Sequence, residues 1–302
     1  NQEQCYLFTD PIVQDFYLKN LKKSLIVKNP TKIIAPRQYQ ANCWFNCMFM
    51  VFFISNKGRK FFKYFRRLMI QGNRIHKEGI QSKQLTYRLP PKLHSALFML
   101  NMLIHKSLSG YMTDSDDTNV IIKEVNSALP EYKVKQNIAK VGDEFNALTF
   151  YTILFNYLND SFIKIQEVIV SDILSPDVFT SKETFISFVT SNVINKLDDY
   201  HIEYSKFYKK PQLQRQQNLG TRIVKFPDIV VVEVHDKDSE KNSVTPIEFE
   251  IKTNNPSKMS AKYKLDSVII RDISKRHFSC VLTINNGEYG FDGESFKRLN
   301  KF

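Results

Sequence analysis

Cysteine is scarce in this chain. The four residues, Cys5, Cys43, Cys47 and Cys280, are too few and too irregularly placed for a disulfide framework, and no two pairs have zinc-finger spacing. An intracellular, reducing compartment, cytoplasm or nucleus, is therefore expected. Long apolar runs are missing too. The best, Cys43 to Ser55, spans about 13 residues and contains Asn46, short of the roughly 18 of a membrane helix, so no membrane span is expected. The start does not read as a signal peptide, and Asn1 in place of methionine implies that something ahead of it has been removed. With 42% hydrophobic and 25% charged residues, the composition excludes a disordered or collagen-like chain. The 302 residues suffice for one large domain or two lobes sharing a cleft.

Aromatic residues are plentiful, with 24 Phe and 14 Tyr, which predicts a core built largely of rings. The formal charge of +12 fits either an acidic partner or a solvated surface. Its densest patch is Lys57, Arg59, Lys60, Lys63, Arg66 and Arg67, threaded with Phe61, Phe62, Tyr64 and Phe65. At helical spacing this reads as a buried ring face under a basic outer face, and without a nucleic-acid fold signature that class of partner is disfavoured.

Hydrophobic periodicity predicts an amphipathic helix over 10–28, an extended segment broken by Pro30 and Pro36, and a long helical stretch from Cys43 to about Ile70 with a break near Asn56 to Gly58. Further helices are expected over 93–107, 119–129 and 143–158. After about Phe162 the character changes. Strands are expected over 163–170, 223–234, 245–252, 263–271, 278–284 and 288–291, and Asn285-Asn286-Gly287 is a strong hairpin signal. The polar stretch 206–221 reads as a connection between elements.

A cysteine opening a helix in the first part and a histidine opening a strand in the second are the parts of a thiol hydrolase. The positive end of a helix favours thiolate, and a facing imidazole completes an ion pair with it. Cys43 follows an extended segment and begins a helical pattern. His277 begins a strand, and Asp292 stands fifteen residues later, far enough for one strand, a turn and the return strand.

The stretch Gln38-Tyr39-Gln40-Ala41-Asn42-Cys43-Trp44-Phe45-Asn46-Cys47 resembles the Cys box of the ubiquitin-specific proteases, with an amide residue five before the nucleophile and an aromatic directly after it. Tyr263 to Ile270, His277 to Val281 and Glu288 to Ser295 resemble the His box of that family. Gly142 to Phe145 and Phe226 to Val232 are weaker echoes. The resemblance spans about Pro36 to Phe302 discontinuously. It implies an α+β, papain-like fold in which a helical N-terminal lobe packs against a C-terminal antiparallel β lobe. The domains would be 1–35 as a helical extension, 36–162 as the lobe with the catalytic cysteine, and 163–302 as the β lobe with a reduced finger region lacking zinc ligands. It also implies Cys43 as nucleophile, His277 as its base, Asp292 as the residue that orients His277, and Gln38 as oxyanion donor. No metal or cofactor is implied, and the partner would be a conjugate of ubiquitin or a ubiquitin-like protein.

Three departures accompany this. Gln38 stands where the family usually has Asn, Arg276 where it has Gly before the histidine, and Arg271 where it has His near the end of the preceding strand. They motivate an alternative, an inactive relative serving as a structural or interaction protein. The abundance of Asn, Lys, Ile and Phe resembles proteins of AT-rich genomes, including large DNA viruses, so a virion component is one form of that alternative. Cys47 and Cys280 read as buried packing residues. His76, His94, His105, His201 and His235 read as structural or solvent-facing, and Asp143 and Glu144 as helix N-terminal carboxylates without a catalytic role.

Overall fold

The computed structural model describes residues 5–73, 88–129, 141–158, 165–171, 176–197, 226–235, 248–253, 260–295 and 298–302. The elements in chain order are α1 (Pro11–Lys23), α2 (Cys43–Phe53), α3 (Asn56–Phe61), α4 (Lys63–Gln71), α5 (Pro91–Ser109), α6 (Thr118–Ala128), α7 (Ala147–Leu158), β1 (Ile165–Ser171), α8 (Lys182–Asn195), β2 (Ile229–His235), β3 (Glu248–Lys252), β4 (Ser260–Lys264), β5 (Ser267–Asp272), β6 (His277–Ile284), β7 (Gly287–Phe291) and β8 (Asn300–Lys301). Helix and sheet are thus mixed, as an α+β reading requires. Among the described residues no helix is long and apolar enough to cross a membrane.

The chain forms two compact units, Asn1–Phe162 with Asp266–Phe302, and Ile163–Leu265. This division differs from the expected one. A boundary falls after Phe162, but the last four strands join the helices of the first part instead of the preceding strands, and 1–35 is no separate extension. Leu21 of α1 is buried with Ile70 of α4 and Phe98 of α5, and Val13, Tyr17 and Met102 pack around them.

In the first unit α2 is apolar on nearly every side and buried along its length, the signature of a central helix. Phe45, Phe49, Phe52 and Phe53 are each almost fully buried, worth on the order of 1.5 to 3 kcal/mol apiece in transfer from water. The long helical stretch expected up to Ile70 is broken at Ser55. There the Ser55 hydroxyl accepts the Gly58 N–H at 3.0 Å and donates to Asp266 at 2.5 Å, and the Lys57 N–H donates to the same carboxylate at 3.1 Å. An anion at the start of α3 suits the helix dipole. Asp266 therefore cannot continue a strand, and the single strand expected over 263–271 is two, β4 and β5.

Strands β5 to β8 form an antiparallel sheet in sequence order, with Val268 opposite Val281 and Cys280 opposite Phe291. Asn285 and Asn286 both have positive φ, 50° and 63°, the backbone of a two-residue primed turn at the predicted hairpin. On β6 every second residue, Phe278, Cys280, Leu282 and Ile284, is buried, and α2 packs along this strand. The basic patch departs from expectation. Arg59 and Arg66 turn inward, each about 1% exposed. Burial pushes the Arg66 guanidinium down to about 9, and Arg59, relieved in part by Asp266, to about 10.

In the second unit β1 and β2 pair in parallel, Ile165 opposite Ile229, which corrects the expectation of an all-antiparallel β lobe. Parallel neighbours need a long crossover, and the connection contains α8, a helix the sequence reading did not anticipate. Its start is fixed by Ser181 and Thr184, whose side chains and N–H groups bond reciprocally. Val168, Val170, Phe185, Val189, Val193 and Ile251 form the core of this unit, with Phe249 stacked on Tyr263 across the antiparallel β3–β4 pair. The expected connection 206–221 lies outside the described residues, as do His76 and His201.

Candidate active site

The helix that carries Cys43 and the strand that carries His277 run in the same direction in close register. Cys43 lies beside Phe278, Cys280 Sγ is 3.9 Å from the Cys47 carbonyl, and Ser55 bonds Asp266, whose carbonyl accepts the Thr283 N–H. Twelve helical residues rise about 18 Å and five strand residues about 17 Å, so the two elements stay matched from end to end. The Cys43 side chain is thereby delivered to the first residues of β6.

Pairing between β6 and β7 stops at Cys280 and Phe291. Past that point the Phe278 N–H lies near the Cys43 sulfur, as do the N–H groups of Trp44 and Cys43 at the start of α2, and all three favour the charged form of the thiol. The chain leading into Cys43 follows the departing end of β7, with the Gln38 N–H donating to the Gly293 carbonyl at 3.0 Å. A Cβ on Gly293 would come within 3.4 Å of Gln38 N and Cβ, so the close approach uses glycine.

His277 Nε2 is 2.9 Å from Asp292 Oδ1. A carboxylate only accepts, so Nε2 carries the proton and Nδ1 is the basic nitrogen. Burial raises the Asp292 carboxyl, but the Glu294 N–H, the His277 ring and Ser295 outweigh it, and its pKa ends below the ordinary aspartate value. Glu294 Oε2 lies 3.9 Å from Nδ1. Arg276, just before the histidine, has φ of 52°, a left-handed backbone that glycine adopts without strain.

The four residues singled out from sequence thus fall within one unit, linked through backbone neighbours: Cys43 to Phe278, His277 to Asp292, and Gln38 to Gly293. This corrects the picture of a sulfur and an imidazole from separate lobes. Gln38 Nε2 donates to the Gln40 carbonyl at 3.3 Å, and among the described residues its second N–H has no acceptor and its buried Oε1 no donor. Gln40 itself has φ of 55° in the turn before α2.

The segment before Cys43 is fixed by groups the sequence reading passed over. Asn42 Oδ1 accepts the Tyr39 N–H at 3.0 Å, and Asn46 Nδ2 donates to the Arg37 carbonyl at 3.2 Å. The Thr118 hydroxyl joins them, accepting from Asn42 at 3.0 Å and donating to Asn46 at 2.6 Å, while Asn119 donates to the Tyr39 carbonyl at 3.0 Å. All three members of the Asn42–Asn46–Thr118 cluster are buried. Two asparagines four apart in an otherwise apolar helix were the sequence signal for it. Trp44 Nε1 donates to the Asp143 carbonyl at 3.1 Å, and its ring meets Phe145 and Phe150 edge-on.

Helix α7 starts at Ala147, so Asp143 and Glu144 precede it and are not its first-turn residues as expected. Glu144 instead pairs with Arg271 of β5, Oε1 to Nη2 at 2.6 Å. Nothing in the sequence signals this pair. Cys43 is 3% exposed, and burial raises its thiol pKa. The three backbone N–H groups pull it down and the Glu144 charge adds to the rise. Cys47 and Cys280 are buried behind it. His94 bonds the Ile70 carbonyl, His105 meets Phe16 and Tyr17 edge-on, and His235 pairs with Glu233. Among the described residues no three His, Cys, Asp or Glu side chains converge as metal ligands. No family model, curated protein or solved structure matches the sequence.

Proposed function

We propose that the chain is a cysteine hydrolase of the ubiquitin-specific protease type, with a papain-like arrangement of its site, cleaving the bond after the C-terminus of ubiquitin or a ubiquitin-like modifier. The observation that carries the reading is Cys43 in the first turn of α2 with its sulfur near the N–H of Phe278, the residue that follows a histidine bonded to a carboxylate. The resemblance of the Cys and His boxes supplies the substrate class.

In this reading the thiol passes its proton to His277 Nδ1, and the thiolate attacks the carbonyl at the end of the modifier tail. The charge that develops on oxygen is met by the Cys43 backbone N–H and the second N–H of Gln38, each such donor being worth about 3 to 4 kcal/mol. His277 returns the proton to the departing amine, and water, activated by the same ring, resolves the thioester. Asp292 keeps Nε2 protonated and stabilises the imidazolium while it exists.

The test is a ubiquitin or ubiquitin-like protein bearing an electrophile at its C-terminus. Wild-type protein under reducing conditions should form a covalent adduct, Cys43→Ala should form none, and His277→Ala should react far more slowly. No adduct with any modifier of the class overturns the reading. A second reading, an inactive scaffold that binds but does not cleave, is favoured by the Glu144–Arg271 pair beside a buried thiol. It expects modifier binding without adduct formation.

A further inference from the structure

We infer that Glu144 and Arg271 form a positioning pair for Cys43, an ion pair that joins the segment packed on Trp44 to the strand that pairs with Phe278. The inference rests on Cys43 as nucleophile for its bearing on turnover, whereas the thiol itself can be followed with no substrate present.

Both partners are fixed from two directions. Arg271 lies opposite Phe278 across the β5–β6 pair, and its Cζ stands 5.7 Å over the Phe278 ring while Nη2 holds Glu144 at 2.6 Å. Phe278 is the residue whose N–H meets the sulfur. Glu144 sits between Asp143, whose carbonyl accepts from Trp44, and Phe145, whose ring packs on Trp44, and Trp44 directly follows Cys43. The ion pair therefore joins the two pieces of chain that bracket the thiol.

A neighbouring carboxylate opposes formation of a thiolate, and a cation on that carboxylate removes most of the opposition. The other titratable groups at this end are Cys47 on α2, His277 and Cys280 on β6, Asp272 on β5, Asp143 beside Glu144, and Asp292 and Glu294 after β7. The Glu144 charge adds to the rise of the Cys43 thiol, Asp292 accepts from His277 Nε2, and Glu294 lies 3.9 Å from Nδ1. Substrate that engages Arg271 would expose the Glu144 charge to the sulfur, and substrate that engages Glu144 would release the thiolate. The pair thus ties nucleophile strength to which charge a substrate presents.

The measurement is the rate of Cys43 alkylation by neutral iodoacetamide between roughly pH 6 and pH 10, read on the Cys43 peptide, with exposed Cys5 as reference in the same sample. Glu144→Gln should lower the midpoint and speed alkylation at pH 7 by about three- to tenfold, each pH unit being a tenfold change in thiolate. Arg271→Ala should raise the midpoint and slow alkylation similarly. The double variant should follow Glu144→Gln, Arg271→Lys should stay near wild type, and Cys5 should not move. Unchanged midpoints overturn the inference. So do midpoints that move the same way in both single variants, the pattern of merely loosened packing. If the midpoints move as expected but the modifier probe never reacts, the substrate reading falls and the pair stands. An adduct with unmoved midpoints gives the reverse.

Discussion

Two buried polar clusters in the same unit are built on different terms. Around Cys43, the side chains of Asn42, Asn46 and Thr118 are neutral, and every one of their polar atoms has a partner within the cluster or on the backbone. In the α3–α4 region, among the described residues, Arg66 is buried with the neutral oxygens of Asn101 and Ser24 for its charge, while Arg59 Nε and Asn101 Nδ2 have no partner. A satisfied neutral network holds a segment in place at little net cost, whereas a buried cation without a carboxylate carries a desolvation penalty that hydrogen bonds offset only in part. The first cluster holds the segment that leads into Cys43, and the second holds α3 and α4.

That contrast can be broken at either end. The largest effect should come from Thr118→Val, which strands Asn42 Nδ2 and Asn46 Oδ1 in the core. We expect a loss of about 2 to 4 kcal/mol in denaturant unfolding, together with slower reaction at Cys43. A loss under about 1 kcal/mol would remove the distinction between the clusters. Asn101→Leu, which removes the Arg66 Nε acceptor, should cost about 1 to 3 kcal/mol by the same measurement. Arg66→Met removes the cation and keeps most of the volume, so its stability should lie within about 1 kcal/mol of wild type, on either side. A cost above about 3 kcal/mol would mean that the cation holds the α3–α4 region as firmly as Thr118 holds the segment before Cys43.

The smallest effect concerns acid. Because the folded Asp292 pKa is lowered, its contribution to stability is present above the ordinary aspartate value of about 3.9 and is lost as pH falls below that through the folded value. Asp292→Asn should flatten this part of the unfolding profile against pH and leave the profile above about pH 5 parallel to wild type.

What was legible in the sequence was what local chemistry dictates. The Asn285-Asn286-Gly287 turn and the strands beside it were readable because adjacent antiparallel strands need only a turn residue and an alternating pattern. Cys43, His277, Asp292 and Gln38 could be named from spacing along the chain, and they fall in one unit, with His277 on Asp292 and Gln38 on Gly293. The parallel β1–β2 pair was not, since its partners are joined through a crossover that leaves no mark on either strand. Nor were the inward turns of Arg59 and Arg66, because helical spacing tells which side a residue takes but not that a cation will be taken into the core. The break at Asp266 was hidden for another reason: its cause is Ser55, 211 residues earlier.

The donor that meets the Cys43 sulfur from β6 belongs to the main chain, so no side-chain replacement can delete it. What sets it is the length of β7: one more rung of pairing would have claimed the Phe278 amide for the sheet. That amide is also a native reporter. Its proton resonance and its exchange with solvent should answer to the state of the sulfur, shifting when the thiol is capped and giving a spectroscopic view of the Cys43 thiol that needs no label.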